Sequence, residues 1–287
     1  MRVTQNMVTN GMSRYINASL QRIYRKYDEI ATGKKIQAAS DDPVGFTTSL
    51  RINNSLTEIE RYQQNSEAGI SWMNTSDAAL SELSSVLNRL EEIGVAASNG
   101  TLAQSSCDAY AEEVAELKEH VLQIANTKFG DRYIFSGQMT NQPAYDENYT
   151  YQGDNSALKM EIGEDSSIEY SHTGAEIFGD FFQVMSDLET SIRNMDFDQV
   201  SEYLTDIQSE VDNVLNIRSS YGAKVSRLEK NNERLDNLEI QFQEILSDVE
   251  DTDITEAATQ LSMQETIYQA ALSVGAKIMQ TSLINYI

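Results

Sequence analysis

The 287-residue chain is predicted to be mainly α: an antiparallel bundle of long coiled-coil helices formed by its N- and C-terminal segments, with a small β-rich insertion in the middle. Three observations carry that prediction. Only 2 prolines and 14 glycines punctuate the chain, which is too few turn formers for a many-stranded β protein. Apolar residues recur every seventh position over long stretches at both ends, the spacing that lines one face of a helix. Between residues 129 and 180 that spacing disappears, and Gly, Asn, Asp and Tyr become frequent.

The elements follow in chain order. Residues 12–31 read as an amphipathic helix, with Ile16, Ile23 and Ile30 in one row and Leu20 and Tyr27 beside it, and Gly33 ends it. Ser40-Asp41-Asp42-Pro43 is a start signal, because an oxygen side chain can cap free amides and proline suits the first helical position. The next helix carries apolar spacing through Ile52, Leu56, Ile59, Ile70, Met73, Leu80 and Leu87 to about Ala97, and a break or kink is expected where Thr75-Ser76-Asp77 could recap it. Ser98-Asn99-Gly100 closes this segment. Tyr110, Val114, Leu117, Val121 and Ile124 mark a third helix ending near Thr127.

In the insertion, Arg132-Tyr133-Ile134-Phe135 reads as a strand and Leu158 to Ile162 alternates with period two. Gly153-Asp154-Asn155 and Gly163-Glu164-Asp165 supply turns. The clearest periodicity comes after it: Val200, Ile207, Val214, Tyr221, Leu228, Leu235, Phe242 and Val249 form one unbroken row of a long coiled-coil helix. Asp251-Thr252-Asp253 caps a last helix, in which Ile254, Leu261 and Tyr268 form one row and Ala258, Leu272, Met279 and Tyr286 another. The expected divisions are therefore an N-terminal assembly helix (1–40), an outgoing helical segment (41–128), the variable insertion (129–180), a returning helical segment (181–250) and a C-terminal assembly helix (251–287).

Each terminal helix carries a narrow apolar stripe with no sequence neighbour to bury it, and isolated helices are marginal in water. The economical solution pairs the two ends, and the remaining faces then suit packing against further copies. The assembly interface is accordingly expected at Met12, Ile16, Leu20, Ile23, Tyr27 and Ile30 at one end. At the other it comprises Ile254, Ala258, Leu261, Tyr268, Leu272, Met279, Leu283 and Tyr286. Both ends are expected to be mobile in the free subunit and to order on assembly.

Charge excludes some partners. A formal net charge of −24 argues against nucleic acid, whose binding relies on Lys and Arg displacing counterions. The charge is uneven: residues 1–40 hold seven bases and two acids, whereas residues 41–253 hold thirteen bases and forty-one acids. The acidic middle reads as a solvated surface that keeps a concentrated protein soluble, and the positive start as a segment that could attract the acidic surface of a neighbour. No stretch is long and apolar enough to span a bilayer or to form the core of a secretory signal, so no membrane partner is expected and any export would proceed without a cleaved signal.

Catalytic chemistry finds little footing. His120, His172 and Cys107 have no zinc-ligand spacing, and no zinc-protease, phosphate-loop or nucleophile-elbow motif is present. Adjacent acids such as Glu91-Glu92 and Glu112-Glu113 do not share a helix face. No enzyme activity, cofactor or metal is expected. Cys107, as the lone cysteine, reads as a small buried or half-buried thiol, and Trp72 as a buried anchor. Tyr145, Tyr149 and Tyr151 read as strand residues or as a carbohydrate- or protein-contact surface.

Several of these segments resemble the flagellin superfamily. The shared residues are Ala31-Thr32-Gly33-Lys34-Lys35-Ile36, the Asp41-Asp42 pair, and the Asn65 to Asp77 stretch with Gly69-Ile70-Ser71 and Thr75-Ser76-Asp77-Ala78-Ala79-Leu80. Ser40 to Val44, Tyr133-Ile134-Phe135-Ser136-Gly137, Arg227-Leu228-Glu229 and the ending Ser282-Leu283-Ile284-Asn285-Tyr286-Ile287 favour the hook-filament junction branch of that superfamily. The Phe129 to Arg132 approach departs from the pattern. The resemblance implies export through the flagellar type III channel to an extracellular ring of copies of this chain, between the first hook-associated protein and flagellin. It also implies a cytoplasmic export chaperone gripping Ile254, Leu261, Tyr268 and Leu272, a stripe that would otherwise aggregate. The competing readings are filament flagellin itself and a secreted binding or enzymatic domain carried on a helical stalk by residues 129–180.

Overall fold

A computed structural model describes the backbone of residues 5–98 and 102–284 and the side chains of residues 7–98 and 102–277. The fold is mainly helical. Its long helices are α1 (Gln5–Thr32), α2 (Pro43–Ser98), α3 (Gln104–Ala125), α6 (Phe197–Glu250) and α7 (Ile254–Ile284), with α4 (Gly174–Phe178) and α5 (Phe181–Arg193) shorter. The chain divides into two compact units, one of residues 1–58 with 238–287 and the other of residues 59–237. Helices α2 and α6 each contribute a segment to both.

In the central unit, α2 supplies Met73, Leu80, Leu83, Leu87 and Leu90, all with no exposed surface. They meet Cys107, Val114 and Val121 of α3, Met185 and Leu188 of α5, and Val200, Ile207, Val214, Tyr221 and Leu228 of α6. The seven-residue row of α6 is therefore the core row, and burying four or five such side chains contributes about 1.5–3 kcal/mol each before entropy is counted. Polar ties give α2 and α6 their antiparallel register here: Gln63 donates to Asp236 at 2.8 Å, Arg218 to Asp77 at 2.8 Å and Gln208 to Glu91 at 2.9 Å.

The expected break at Thr75-Ser76-Asp77 is absent, and α2 continues through all 56 of its residues. The reason lies in what those side chains bond. Thr75 Oγ1 donates back to the carbonyl of Ser71 and Ser76 Oγ to that of Trp72, at 3.0 Å each, while Asp77 faces Arg218 across the bundle. None is left to cap an interior amide. At the start signal, Asp42 does accept from the Val44 amide at 3.0 Å, whereas Asp41 turns back to the amides of Gln37 and Ala38. Asn99 and Gly100 lie outside the described residues.

The insertion is less regular than the sequence suggests. Strand Arg132 to Phe135 shrinks to a two-residue pairing of β1 (Lys128–Phe129) with β2 (Arg132–Tyr133), and β3 (Lys159–Gly163) pairs antiparallel with β4 (Ser166–Glu169). Ile134 and Phe135 leave the ladder because both are buried in the helical core, so packing overrides strand pairing. The β3–β4 hairpin is pinned on both sides: Asn65 of α2 donates to the Glu161 carbonyl at 2.9 Å and Asn231 of α6 to that of Ile162 at 3.0 Å. Tyr145 is buried, and its ring packs against Tyr151, Phe178 and Phe182, with Tyr149 stacked on Phe182. These tyrosines form an aromatic core, and Tyr145 and Tyr151 also pair in an isolated antiparallel bridge, as strand residues do. Trp72 is 3% exposed, edge-on to Phe129 and Tyr170 and beneath the Arg132 guanidinium.

Candidate assembly interface

In the terminal unit α1 and α7 pack along one another in opposite directions. Gly33, in the left-handed region at φ +72°, ends α1 and accepts from the Thr252 amide at 2.9 Å. The Lys35 amide donates to the Glu250 carbonyl at 2.6 Å, and Lys34 bridges to Asp251. At the far end a Cβ on Gly275 would sit 3.4 Å from Met12 Cε and 3.7 Å from Ile16 Cδ1. The pair thus runs from Gly33 beside Thr252 to Met12 beside Gly275.

The covered positions alternate in steps of four and three on both helices. On α1 they include Met12, Ile16, Ser19, Ile23, Lys26 and Ile30, and on α7 Ala257, Leu261, Gln264, Tyr268, Ala271 and Gly275. That is the spacing of a two-helix seam. Of these only Ser19, Ile23, Ala257 and Gly275 are fully buried, the rest being half-buried.

Polar contacts flank the seam. Arg22 Nε donates to Gln264 Oε1 at 3.3 Å and the Tyr27 hydroxyl to Glu265 at 3.1 Å, and the latter contact raises the Tyr27 pKa. Burial works against the Glu29 carboxylate, yet hydrogen bonds from Lys26 and from Thr252 at 2.8 Å outweigh it and lower its pKa. Glu250 is the buried polar pivot, at 6% exposure: it pairs with Lys34 Nζ at 2.5 Å and accepts from the Ser49 hydroxyl. It so ties the 33–36 linker to the first turns of α2 and the last turn of α6.

The predicted interface residues divide in two. Met12, Ile16, Leu20, Ile23, Ile30, Leu261 and Tyr268 are buried or half-buried, whereas Tyr27, Ile254, Ala258 and Leu272 are exposed. The side chains of Met279 and Leu283, and the whole of Tyr286, lie outside the described residues. On α7 the row partnering Leu261 and Tyr268 is Ala257, Gln264 and Ala271, one residue before the predicted Ala258 and Leu272. Ala257, Ala271 and Gly275 turn inward between Leu261, Gln264 and Tyr268, and their small side chains let the α1 backbone come close. A weighting for small residues at four-three spacing would have found Ala257 and Gly275. The outward faces also hold Met7, Tyr15 and Tyr24 on α1 and Met263, Ile267 and Val274 on α7, all at least 45% exposed.

Among the described residues no helix is long and apolar enough to cross a membrane, and no group of three His, Cys, Asp or Glu side chains converges as metal ligands would. Cys107 is buried, His120 bonds Glu82 at 2.9 Å, and His172 bonds Glu176 at 3.1 Å. Burial, then the charge of Lys224, lowers the His172 pKa.

The class this geometry defines is a helical structural subunit whose own chain ends pair and leave an apolar outer face. The family model for the bacterial flagellin N-terminal helical region matches residues 3–140 and that for the C-terminal helical region residues 204–287, together about three quarters of the chain. The chain belongs to the bacterial flagellin family. A flagellin of Listeria innocua is 23% identical over 282 residues, covering 98% of this chain and 96% of the relative. Flagellar hook-associated protein 3 of Escherichia coli K12 is 24% identical over 298 residues, covering 93% of each. Among solved structures, a putative flagellar hook-associated protein from Vibrio parahaemolyticus superposes with a TM-score of 0.68 at 17% identity, over 74% of this chain and all of that one. Bacillus cereus FlgL does so at 0.61 and 19% identity, over 68% and 98%. These two share the fold.

Proposed function

We propose that the chain is a non-catalytic structural subunit of the bacterial flagellum, placed at the junction between hook and filament. The observation that carries this reading is the seam of α1 with α7, which uses one face of each helix and leaves Tyr15, Tyr24, Met263, Ile267 and Val274 in water. A lone monomer gains nothing from such a face, and neighbouring copies would cover it. The junction, in preference to the filament shaft, is supported by the near full-length relationship to a hook-associated protein and by the Ser40 to Val44, Tyr133 to Gly137 and Ser282 to Ile287 segments.

On this reading copies of the chain form a ring, with the first hook-associated protein on one side and flagellin on the other. Before export a cytoplasmic chaperone shields α7, for which the exposed Ile254 and Leu272 are the accessible half of the Ile254, Leu261, Tyr268 and Leu272 stripe. On this reading the ring lies outside the cell.

A second reading, filament flagellin, is favoured by the Listeria relationship over 98% of the chain. Removing the gene from its native host separates them. Hooks that lack filaments, with flagellin shed into the medium, are expected for the junction role. Loss of the major filament protein itself would establish the second reading, and normal filaments would overturn both.

A further inference from the structure

The terminal unit contains a groove of about 500 Å³ between α1, the linker after Gly33 and α7. Five cations line it: Arg22, Arg25, Lys26, Lys34 and Lys35. Three carboxylates share the lining, and two of them are engaged, Glu29 by Lys26 and Thr252 and Asp41 by the amides of Gln37 and Ala38. Lys34 is taken up by Glu250 and Lys35 Nζ donates to the Asp248 carbonyl, whereas among the described residues Arg22 donates to the neutral amide oxygen of Gln264 and Arg25 is exposed with no carboxylate bonded to it. In a chain of net charge −24 this is a groove whose cations without a carboxylate partner among the described residues are Arg22, Arg25 and Lys35.

The complementary feature lies on α6 in the other unit. No Lys or Arg occurs between Arg193 and Arg218, a stretch that carries Asp198, Glu202 and Asp206 at steps of four, so the three stand in one row along the helix. All three are exposed, and none takes part in an ion pair among the described residues. Like charges four apart repel, so the row weakens its own helix unless cations from elsewhere face it. The row is about 12 Å long at about 1.5 Å per residue, a length the cations of one groove can follow. Tyr203, next to it, has its pKa raised by desolvation and then by Asp187, Glu202, Asp206 and Asp196, which reports a negative local potential.

We propose that the groove of one copy receives the Asp198, Glu202 and Asp206 row of a second copy. The inference rests on the assembly reading above and names the surfaces that meet. Charge complementarity of this kind sets register and partner choice, and it weakens as salt screens it.

The test mixes full-length protein of natural and of heavy-nitrogen isotopic composition on isolated hook ends and joins contacting carboxylates and amines with a zero-length carbodiimide. Mixed-isotope links from Lys26, Lys34 or Lys35 to Asp198, Glu202 or Asp206 are expected, and they should fade between about 50 mM and about 500 mM salt. The Arg22→Glu, Arg25→Glu double variant, with unchanged helix content, should bind its neighbours about tenfold more weakly, and partners carrying Glu202→Lys and Asp206→Lys should restore it. Wild-type assembly with links only elsewhere and no response to salt or charge reversal overturns the groove pairing and leaves the assembly reading standing. Failure of the wild type to assemble on hook ends under any condition overturns that reading, and the pairing with it.

Discussion

The two units bury their chain by different means. In residues 59–237 helices from four segments close round side chains such as Leu83, Leu87, Val114, Met185 and Val214 that have no exposed surface at all. In the terminal unit α1 and α7 share a one-residue-wide seam, where the largest fully buried side chain is Ile23 at 6% and the other fully covered positions are Ser19, Ala257 and Gly275. The first arrangement is stable without partners, because each core residue is surrounded. The second leaves each seam residue with one neighbour helix and water on the other side, so its remaining stabilisation has to come from other molecules.

The largest effect should separate these units cleanly. Leu87→Ala empties a fully enclosed site and is expected to cost about 3–4 kcal/mol, read as a lowered midpoint in denaturant. Ile16→Ala in the seam should cost about 1 kcal/mol or less and leave that midpoint unmoved, reducing only the amide-exchange protection of α1. Equal effects at the two positions would break the contrast. In the unassembled subunit α1 and α7 should exchange far faster than the α2 and α6 segments of the central unit, and strong protection of α1 in dilute solution would show the seam to be self-sufficient.

Next is Glu250→Ala, which releases the half-exposed Lys34 to solvent and leaves the buried Ser49 hydroxyl without this acceptor, and it should cost about 1–2 kcal/mol of local stability. Its readout is exchange at residues 33–36, with Glu250→Gln recovering the Ser49 contact alone.

Glu210 of the central unit tests burial of a charge. Desolvation pushes its pKa up to about 7, against a small opposing hydrogen bond from Asn213. A raised folded-state pKa gives stability that is complete below the unfolded value near 4.5 and is lost as pH rises through about 7. The loss is at most roughly 3 kcal/mol, reduced by the solvent that still reaches the carboxylate. Glu210→Gln should therefore match the wild type at pH near 4.5 and exceed it at about pH 8, measured as paired unfolding curves.

The smallest effect is expected at Gly275. A Cβ there meets Met12 at ordinary contact distance, so Gly275→Ala should be tolerated and, by helix propensity, should stabilise α7 by up to about 1 kcal/mol. Gly275→Leu should force the helices apart and weaken assembly while leaving the central unit unchanged.

Much of the fold was legible because helical periodicity is a local property. The Val200 to Leu235 row became the buried row of α6, and Pro43 and Gly33 lie at the helix ends their backbone chemistry favours. Three features were not legible. Thr75-Ser76-Asp77 has the composition of a cap, and only the neighbouring Arg218 and the carbonyls of Ser71 and Trp72 decide that it continues the helix. Arg132 to Phe135 has strand propensity, but the helical core takes Ile134 and Phe135 out of the ladder. On α7 two rows one residue apart, Ala257, Gln264 and Ala271 against Ala258, Glu265 and Leu272, each carry one polar residue, and hydrophobicity favours the second because of Leu272.

The sequence by itself determined the helical class, the pairing of distant ends and the contrast between a basic start and an acidic middle, since each depends on residue type and spacing. Tertiary structure decided which faces of α1 and α7 meet. A seam between two backbones is set by how closely they can approach, and that favours Ala271 and Gly275 over the larger Leu272 and Ala276 at the adjacent register.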